Sequence, residues 1–244
     1  MRKVKLTLEY DGTRYAGWQL QAKGETVQGK VEEALERLLQ KKVRVHGAGR
    51  TDAGAHALGQ VAHFQTSSIL PLRNIRDGTN SYLPPDIAVL KAEEASTSFH
   101  ARYSAKGKIY RYFVVVRPVR AALLHDRAWR VEGPLNMAAM RRAAKALHGR
   151  HDFSAFTAAG SSVKEKTRTL KRIAISRKGV RVEFELEADG FLYKMVRNIV
   201  GTLILVGQGK MAPAEVGTIL ASGARTHAGP PAPAKGLYLV KVSY

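Results

Sequence analysis

The segment Gly47-Ala48-Gly49-Arg50-Thr51-Asp52-Ala53-Gly54-Ala55-His56 packs three glycines, an arginine and an aspartate between two expected strands. Glycine permits positive φ and the close approach of another backbone or a ligand, so such a loop can present the Asp52 carboxylate at a fixed point. A carboxylate held that way can attack an electron-poor carbon or stabilise positive charge on one. The same residues also suit a plain turn in which Asp52 bonds a neighbouring backbone N–H. A phosphate cradle fits less well, because no Gly-Lys-Ser/Thr follows and no helix begins directly after the glycines. Asp11, in the glycine-bounded loop after the first strand, could pair with Asp52 as two carboxylates of the glycosidase kind, although nothing in the spacing fixes their separation.

Further along, Lys108-Ile109-Tyr110-Arg111-Tyr112 puts two tyrosines on one face of a strand and an arginine on the other. Aromatic plus basic suits nucleobases, since a ring stacks on any base while cations hold phosphate. The alternative is that the tyrosines are core, and for one of the two we expect that. Arg197 lies in an otherwise apolar helix. It either finds a carboxylate or phosphate partner, for which Asp52 is a candidate, or packs its stem and keeps its head in water. His148 and His151, three apart, and His56 and His63, across a strand, do not make a metal site without cysteine or an HExxH pattern. We expect no zinc site.

The elements that must position these groups follow from periodicity. Val4, Leu6, Leu8 and Tyr10 alternate with polar residues as a half-buried strand, ended by Asp11-Gly12. Thr26 can cap a helix with apolar positions at Val27, Val31, Ala34, Leu35, Leu38 and Leu39, and with Glu33 and Arg37 paired one turn apart. Strands are expected at about 43–46, 60–66 and 87–93, with a helix near 71–82. The pattern then restarts. A strand spans 108–116, and a helix begins near Asn136, burying Met137, Met140, Ala144 and Leu147 before Gly149 stops it. A hairpin turns about Arg177-Lys178-Gly179, its second strand burying Val180, Val182, Phe184 and Leu186. Next comes a helix with Leu192, Met195, Val196, Ile199, Val200 and Leu203 on one face and Lys194, Arg197 and Gly201 on another flank. Pro213 opens a short extra helix, and a strand from Leu237 to Tyr244 closes the chain. This reads as α+β: two tandem ferredoxin-like βαββαβ halves, 1–104 and 105–244, forming a largely antiparallel sheet with helices on one side and a cleft between the halves.

Composition narrows the function. With 45% apolar and 25% charged residues among 244, the chain is ordinary globular material. The absence of cysteine excludes disulfides and thiolate chemistry and fits a reducing cytoplasm. No apolar run approaches a membrane span, and the N-terminus has no apolar signal core, so we expect a soluble, unprocessed, cytoplasmic protein. The net charge is +20, of which residues 1–105 carry +4 and residues 106–244 carry +16. Such an excess supplies the counterion-release part of nucleic-acid binding, chiefly in the second half.

Taken in order, the motifs resemble those of the TruA-type pseudouridine synthase family. Tyr10-Asp11-Gly12 with Tyr15, Gly17, Trp18 and Gln19 is similar to its opening motif. Gly49-Arg50-Thr51-Asp52-Ala53-Gly54, with His56-Ala57 and Gly59-Gln60-Val61-Ala62, is similar to its catalytic loop, and Ala55 replaces the commoner valine. Lys108 to Tyr112, Asp152-Phe153 with Phe156, Phe191 to Asn198, and Gly229-Pro230 with Ala232-Pro233 and Gly236-Leu237 continue the likeness. The resemblance implies that Asp52 is the essential aspartate, that Tyr110 contacts the target uracil and that Arg197 pairs with Asp52. It also implies a cytoplasmic homodimer that isomerises uridines on the 3′ side of the tRNA anticodon stem-loop, without metal or cofactor.

The chemistry explains those types. The enzyme must break N1–C1′, turn the uracil while holding it, and join C5 to C1′. Burial alone favours a protonated acid, whereas a guanidinium beside it favours the carboxylate, which is the role expected of Arg197. A phenol with a pKa of about 10 is scarcely ionised at neutral pH, so Tyr110 is expected to stack rather than act as base. Arg50, beside Asp52, is expected to fill the place of the everted base. Lys194 and Arg168 complete the expected substrate-binding set. The alternative reading is a non-catalytic RNA-binding protein on the same basic surface, and a third is nucleoside hydrolysis.

Overall fold

The computed structural model describes residues 1–160 and 163–244, which divide into two compact units, Met1–Lys106 with Tyr238–Tyr244, and Gly107–Leu237. In the first unit, β1 (Arg2–Tyr10) runs antiparallel to both β3 (His56–Thr66) and β4 (Ile87–Ala95), with Val4 opposite Phe64 and Leu6 opposite Ala62. The expected alternation holds, since Val4, Leu6, Leu8 and Tyr10 are all buried. Helix α1 (Val27–Leu39) starts at Thr26, whose hydroxyl accepts the Gly29 N–H at 3.2 Å, and it buries Val27, Val31, Ala34 and Leu35. Its Leu38 packs on Gly78 of α2 (Leu72–Tyr82), where a Cβ would lie 2.6 Å from the leucine Cδ1. The expected Glu33–Arg37 pair is replaced. Glu33 lies 3.5 Å from the Lys30 ammonium, and the Arg37 guanidinium stacks over the Tyr82 ring at 4.7 Å, where it covers apolar surface.

Two boundaries differ from expectation. The strand expected at 43–46 shrinks to β2 (His46–Gly47), paired to β3 at His46–His63, while β3 begins at His56 rather than near residue 60. The closing strand β10 (Leu237–Ser243) pairs in parallel with β3, Tyr238 opposite His56 and Leu239 opposite Ala57. Further ties hold it there: Lys106 N–H donates to the Ser243 carbonyl and Tyr244 OH to the Ala101 carbonyl. The last residues therefore count with the first unit, in place of a simple division at 104/105.

In the second unit, β5 (Gly107–Val116) pairs antiparallel with β9 (Arg181–Ala188), β9 with β8 (Thr167–Lys178), and β8 with β7 (Gly149–Asp152). Strand β6 (Trp129–Val131) joins β5 in parallel. Tyr110, Tyr112 and Val114 lie opposite Leu186, Phe184 and Val182 and share the buried face, whereas Arg111 projects the other way onto Glu183 and Glu185. Thus α+β architecture with mainly antiparallel strand pairing holds. Val180 is 51% exposed, because it belongs to the turn with Gly179 at φ +58° and not to the strand. Helix α3 (Met137–Lys145), capped by Asn136, ends before Gly149, whose φ of +104° opens β7 instead. Met137 is only half-buried.

Helix α4 (Met195–Gly207) is buried nearly all round, and α5 (Glu215–Ser222) follows. Lys194 caps α4 in the left-handed region, φ +58°, so Leu192 and Lys194 precede the helix rather than lie on it. Gly201 is not an open flank. The Pro230 carbonyl oxygen sits where a Cβ would come within 1.9 Å, and the neighbouring Gly229 N–H donates to the Thr202 hydroxyl. Two mid-helix glycines should therefore respond with opposite sign. Gly201→Ala should cost ~2–3 kcal/mol through overpacking against backbone. Gly217→Ala in α5, where the nearest atom would be 3.7 Å away, should gain about 0.5–1 kcal/mol. Urea unfolding of both variants checks the pair.

Candidate active site

The loop carrying Asp52 leaves β2 and enters β3, and residues 10–18 clamp it from below. Buried Tyr10, at the end of β1, shares a 2.8 Å hydroxyl–hydroxyl hydrogen bond with Thr51, next to Asp52. Gln60, on β3, donates to the Gly49 carbonyl at 2.9 Å and reaches the Tyr10 hydroxyl at 3.5 Å. Trp18 N–H donates to the Thr51 carbonyl, Gly54 N–H to the Tyr15 carbonyl, and Ala55 N–H to Asp52's own carbonyl. Two glycines make this approach possible. At Gly12 a Cβ would fall 1.9 Å from the Ala55 oxygen, and at Gly17, φ +97°, 2.6 Å from the Thr51 oxygen. Within the loop Gly54 takes φ +76°. Asp52 itself is half-buried, and Arg50 in the same loop is exposed.

Asp11 is committed elsewhere. Its carboxylate accepts the Thr13 N–H and hydroxyl at 3.0 and 2.5 Å, closing a local turn, and it lies 3.2 Å from His56 Nδ1. Its short contacts shape the turn it starts. His56 Nδ1 accepts the Gly12 N–H at 3.1 Å, and its ring stacks on Tyr238 at 4.5 Å. The base of the 11–18 loop is secured by Asp86, which takes the Tyr15 hydroxyl at 2.6 Å and the Arg14 guanidinium at 2.7 Å. Neither Asp86 nor this use of Gly12 is signalled locally, since both depend on distant strands meeting. The buried amide of Gln60 does leave a trace, as a polar residue inside the mainly apolar stretch 57–62.

Tyr110, Arg168, Lys194 and Arg197 belong to the second unit. Tyr110, 7% exposed, and Tyr112, fully buried, both belong to the core where one was expected to, and the Tyr112 hydroxyl donates to the Pro233 carbonyl at 2.6 Å. Phe191 meets Tyr110 edge-on at 5.0 Å and 82°, fixing the ring plane. Beside Phe191, Gly190 makes room for Arg168, whose Nε would be 3.3 Å from a Cβ there. Arg168 also donates to the Thr167 and Glu165 carbonyls. Lys194 lies over the Tyr193 ring at 5.0 Å. Arg197, in the first turn of α4, is half-buried. Its Nε donates to the Ala232 carbonyl at 2.6 Å, and the Ala232 N–H returns a bond to the Arg197 carbonyl. The Gly229–Pro233 loop is thus stapled onto the helix and sets the direction of the guanidinium.

The histidine pairs play structural parts. His151 bonds to the His148 carbonyl at the α3–β7 junction, His148 to the Lys171 carbonyl of β8, and His63 packs among His46 and His100. Burial and those neighbours pull His63 down to about 4. Among the described residues no group of three or more acidic, histidine or cysteine side chains could hold a metal ion.

A model of the family described as tRNA pseudouridine synthase matches residues 7–104 and 143–244. The chain is 48% identical over 244 residues to tRNA pseudouridine synthase A of Acetivibrio thermocellus and 47% identical over 244 residues to that of Geobacter sulfurreducens. It is 46% identical over 245 residues to that of Ruminiclostridium cellulolyticum, and each of the three comparisons covers 100% of both chains.

The clamp makes a testable energetic claim. Burial pushes the Tyr10 hydroxyl up to about 12, so at neutral pH it is a protonated partner for Thr51 and Gln60. Tyr10→Phe should cost ~1–2 kcal/mol at pH 7 by leaving those groups short of a bond. Unfolded tyrosine ionises from about pH 10, before the folded one, so the parent's advantage should shrink as pH rises from about 10 towards 12. Denaturant unfolding of both proteins across that range measures it.

Proposed function

The chain belongs to the tRNA pseudouridine synthase family, an isomerase family, and from that premise we propose that Asp52 is the carboxylate through which it converts uridine to pseudouridine. The carrying observation is the Asp52 loop, whose backbone is held by Tyr10, Trp18, Tyr15 and Gln60 while the aspartate is left half-buried. A structure that spends a buried hydroxyl pair and two backbone approaches on one short loop is holding a side chain to a position.

The reaction balances without redox or energy input. N1–C1′ breaks, the uracil turns, C5–C1′ forms, and the proton on C5 departs while N1 gains one. Asp52 supplies the negative charge that the electron-deficient sugar meets during this exchange. Arg197 is its cationic partner, aimed by the Ala232 staple, and keeps the acid ionised when water is excluded. Tyr110, braced by Phe191, is the plate against which the detached uracil turns. Arg50 occupies the space the everted base leaves, and Lys194 and Arg168 hold phosphates. The +16 charge of residues 106–244 suits a folded polyanion. We assign the substrate position to the 3′ side of the anticodon stem-loop, the active form to a cytoplasmic homodimer, and no cofactor. Among the described residues no helix is long and apolar enough to cross a membrane.

The deciding assay uses unmodified tRNA labelled at uridine C5, following label release and the position of pseudouridine in intact chains. The parent should release label and give mapped pseudouridine. Asp52→Asn should lose at least ~10³-fold in rate while still binding tRNA, and Arg197→Met about 10²-fold. Free uracil as product would mean hydrolysis, and tRNA binding without label release would mean a non-catalytic binder. Turnover by Asp52→Asn at the parental rate would remove Asp52 from the mechanism.

A further inference from the structure

A recess lies within the first unit, beside the start of the Asp52 loop, whose Gly49 and Arg50 help to line it. It measures about 230 Å³ and is lined by Arg44, His46, Arg50, His100, Arg102 and Tyr103, among others, with the indole of Trp18 at its floor. Asp52 does not line it. Tyr103 is 78% exposed, although its ring is not loose. The His100 imidazole lies 4.4 Å from it at 31°, and the Arg102 guanidinium is 5.9 Å from its centroid. His100 is itself fixed, because its Nδ1 accepts the N–H groups of Arg102 and Tyr103 at 3.1 and 3.3 Å and its ring packs on His63 at 4.7 Å. Burial and the nearby cations lower the His100 pKa, so the ring behind Tyr103 is neutral.

The charge around this ring has one sign. Arg44, Arg50 and Arg102 border the recess. Glu32, 3.4 Å from Arg44, also accepts from the Gln28 side chain and the Val45 N–H. Gly47 lets the wall close over Trp18, since a Cβ there would lie 2.4 Å from the indole nitrogen. An exposed, rigidly backed aromatic face beside several guanidiniums is the arrangement that holds an unstacked nucleotide, ring against ring and cation against phosphate.

We propose that this recess binds one unpaired nucleotide of the substrate RNA other than the uridine being isomerised, with its base on Tyr103 and its phosphate between Arg44 and Arg102. The proposal rests on tRNA being the substrate and adds a second anchoring point to it. Holding a neighbouring nucleotide would keep the strand distorted while the target base is out of its stack.

The test is fluorescence anisotropy with end-labelled tRNA transcript, which requires no turnover. Tyr103→Ala should bind about 5- to 100-fold more weakly than the parent. Tyr103→Phe should bind within about 2-fold of it, because the ring face is kept. Circular dichroism of the two variants confirms equal folding. Ultraviolet crosslinking of the parent should map Tyr103 to a nucleotide distinct from the isomerised uridine. Parental affinity in Tyr103→Ala, an equal loss in Tyr103→Phe, or a crosslink to the isomerised uridine itself would each overturn the proposal. A parent that binds tRNA through Tyr103 but makes no pseudouridine would count against the catalytic reading alone.

Discussion

Everything about the Asp52 loop depends on two backbones being allowed to touch. Gly12 and Gly17 bring the 11–18 segment against the carbonyls of Ala55 and Thr51, at distances where any side chain would collide. The Tyr10–Thr51 hydroxyl bond and the Gln60 amide then lock the loop from the strand side. Remove the close approach and those polar groups lose their partners in a dry interior, where each orphaned group costs more than its bond contributed. The two motifs that look separate in the sequence, one near residue 12 and one near residue 52, are therefore halves of one mechanical part.

The second unit solves a similar problem differently. Arg197 is aimed by a reciprocal pair of bonds with Ala232, while Gly201 and Gly229 let the proline-rich loop lie flat on α4. Tyr112 reaches the same loop through Pro233. Proline stiffens a segment that has no regular structure, so the guanidinium is directed by rigid backbone rather than by a long side chain searching in solvent. In both units the side chain assigned to the site, Asp52 in one and Arg197 in the other, is held through main-chain contacts.

How much of this could be read beforehand follows from the physics of each element. Helix α1 was legible because Thr26 and an i, i+3, i+4 pattern coincide on a surface helix. The start of β3 was not, because that strand is buried on both faces and shows no alternation. Helix α4 was located, but its flanks were misjudged for the same reason: a helix covered on all sides has no polar stripe to orient it. Strand β7, Gly149-Arg150-His151-Asp152, has no apolar signal at all. At the site, glycine density drew attention to the Asp52 loop, whereas Phe191 behind Tyr110 and Asp86 beneath Tyr15 emerge only when distant segments meet.

The closing strand carries a consequence for biosynthesis. Because β10 lies parallel against β3, the sheet of the first unit contains residues that the ribosome makes only after the whole of 107–237. The amino-terminal unit cannot be finished as it emerges. It must wait, with the edge of β3 open, until the whole intervening unit has been translated, and such long-range closure is slow. Nascent chains stalled just short of residue 238 should accordingly resemble a half-zipped sheet, a natural client for chaperones that shield strand edges.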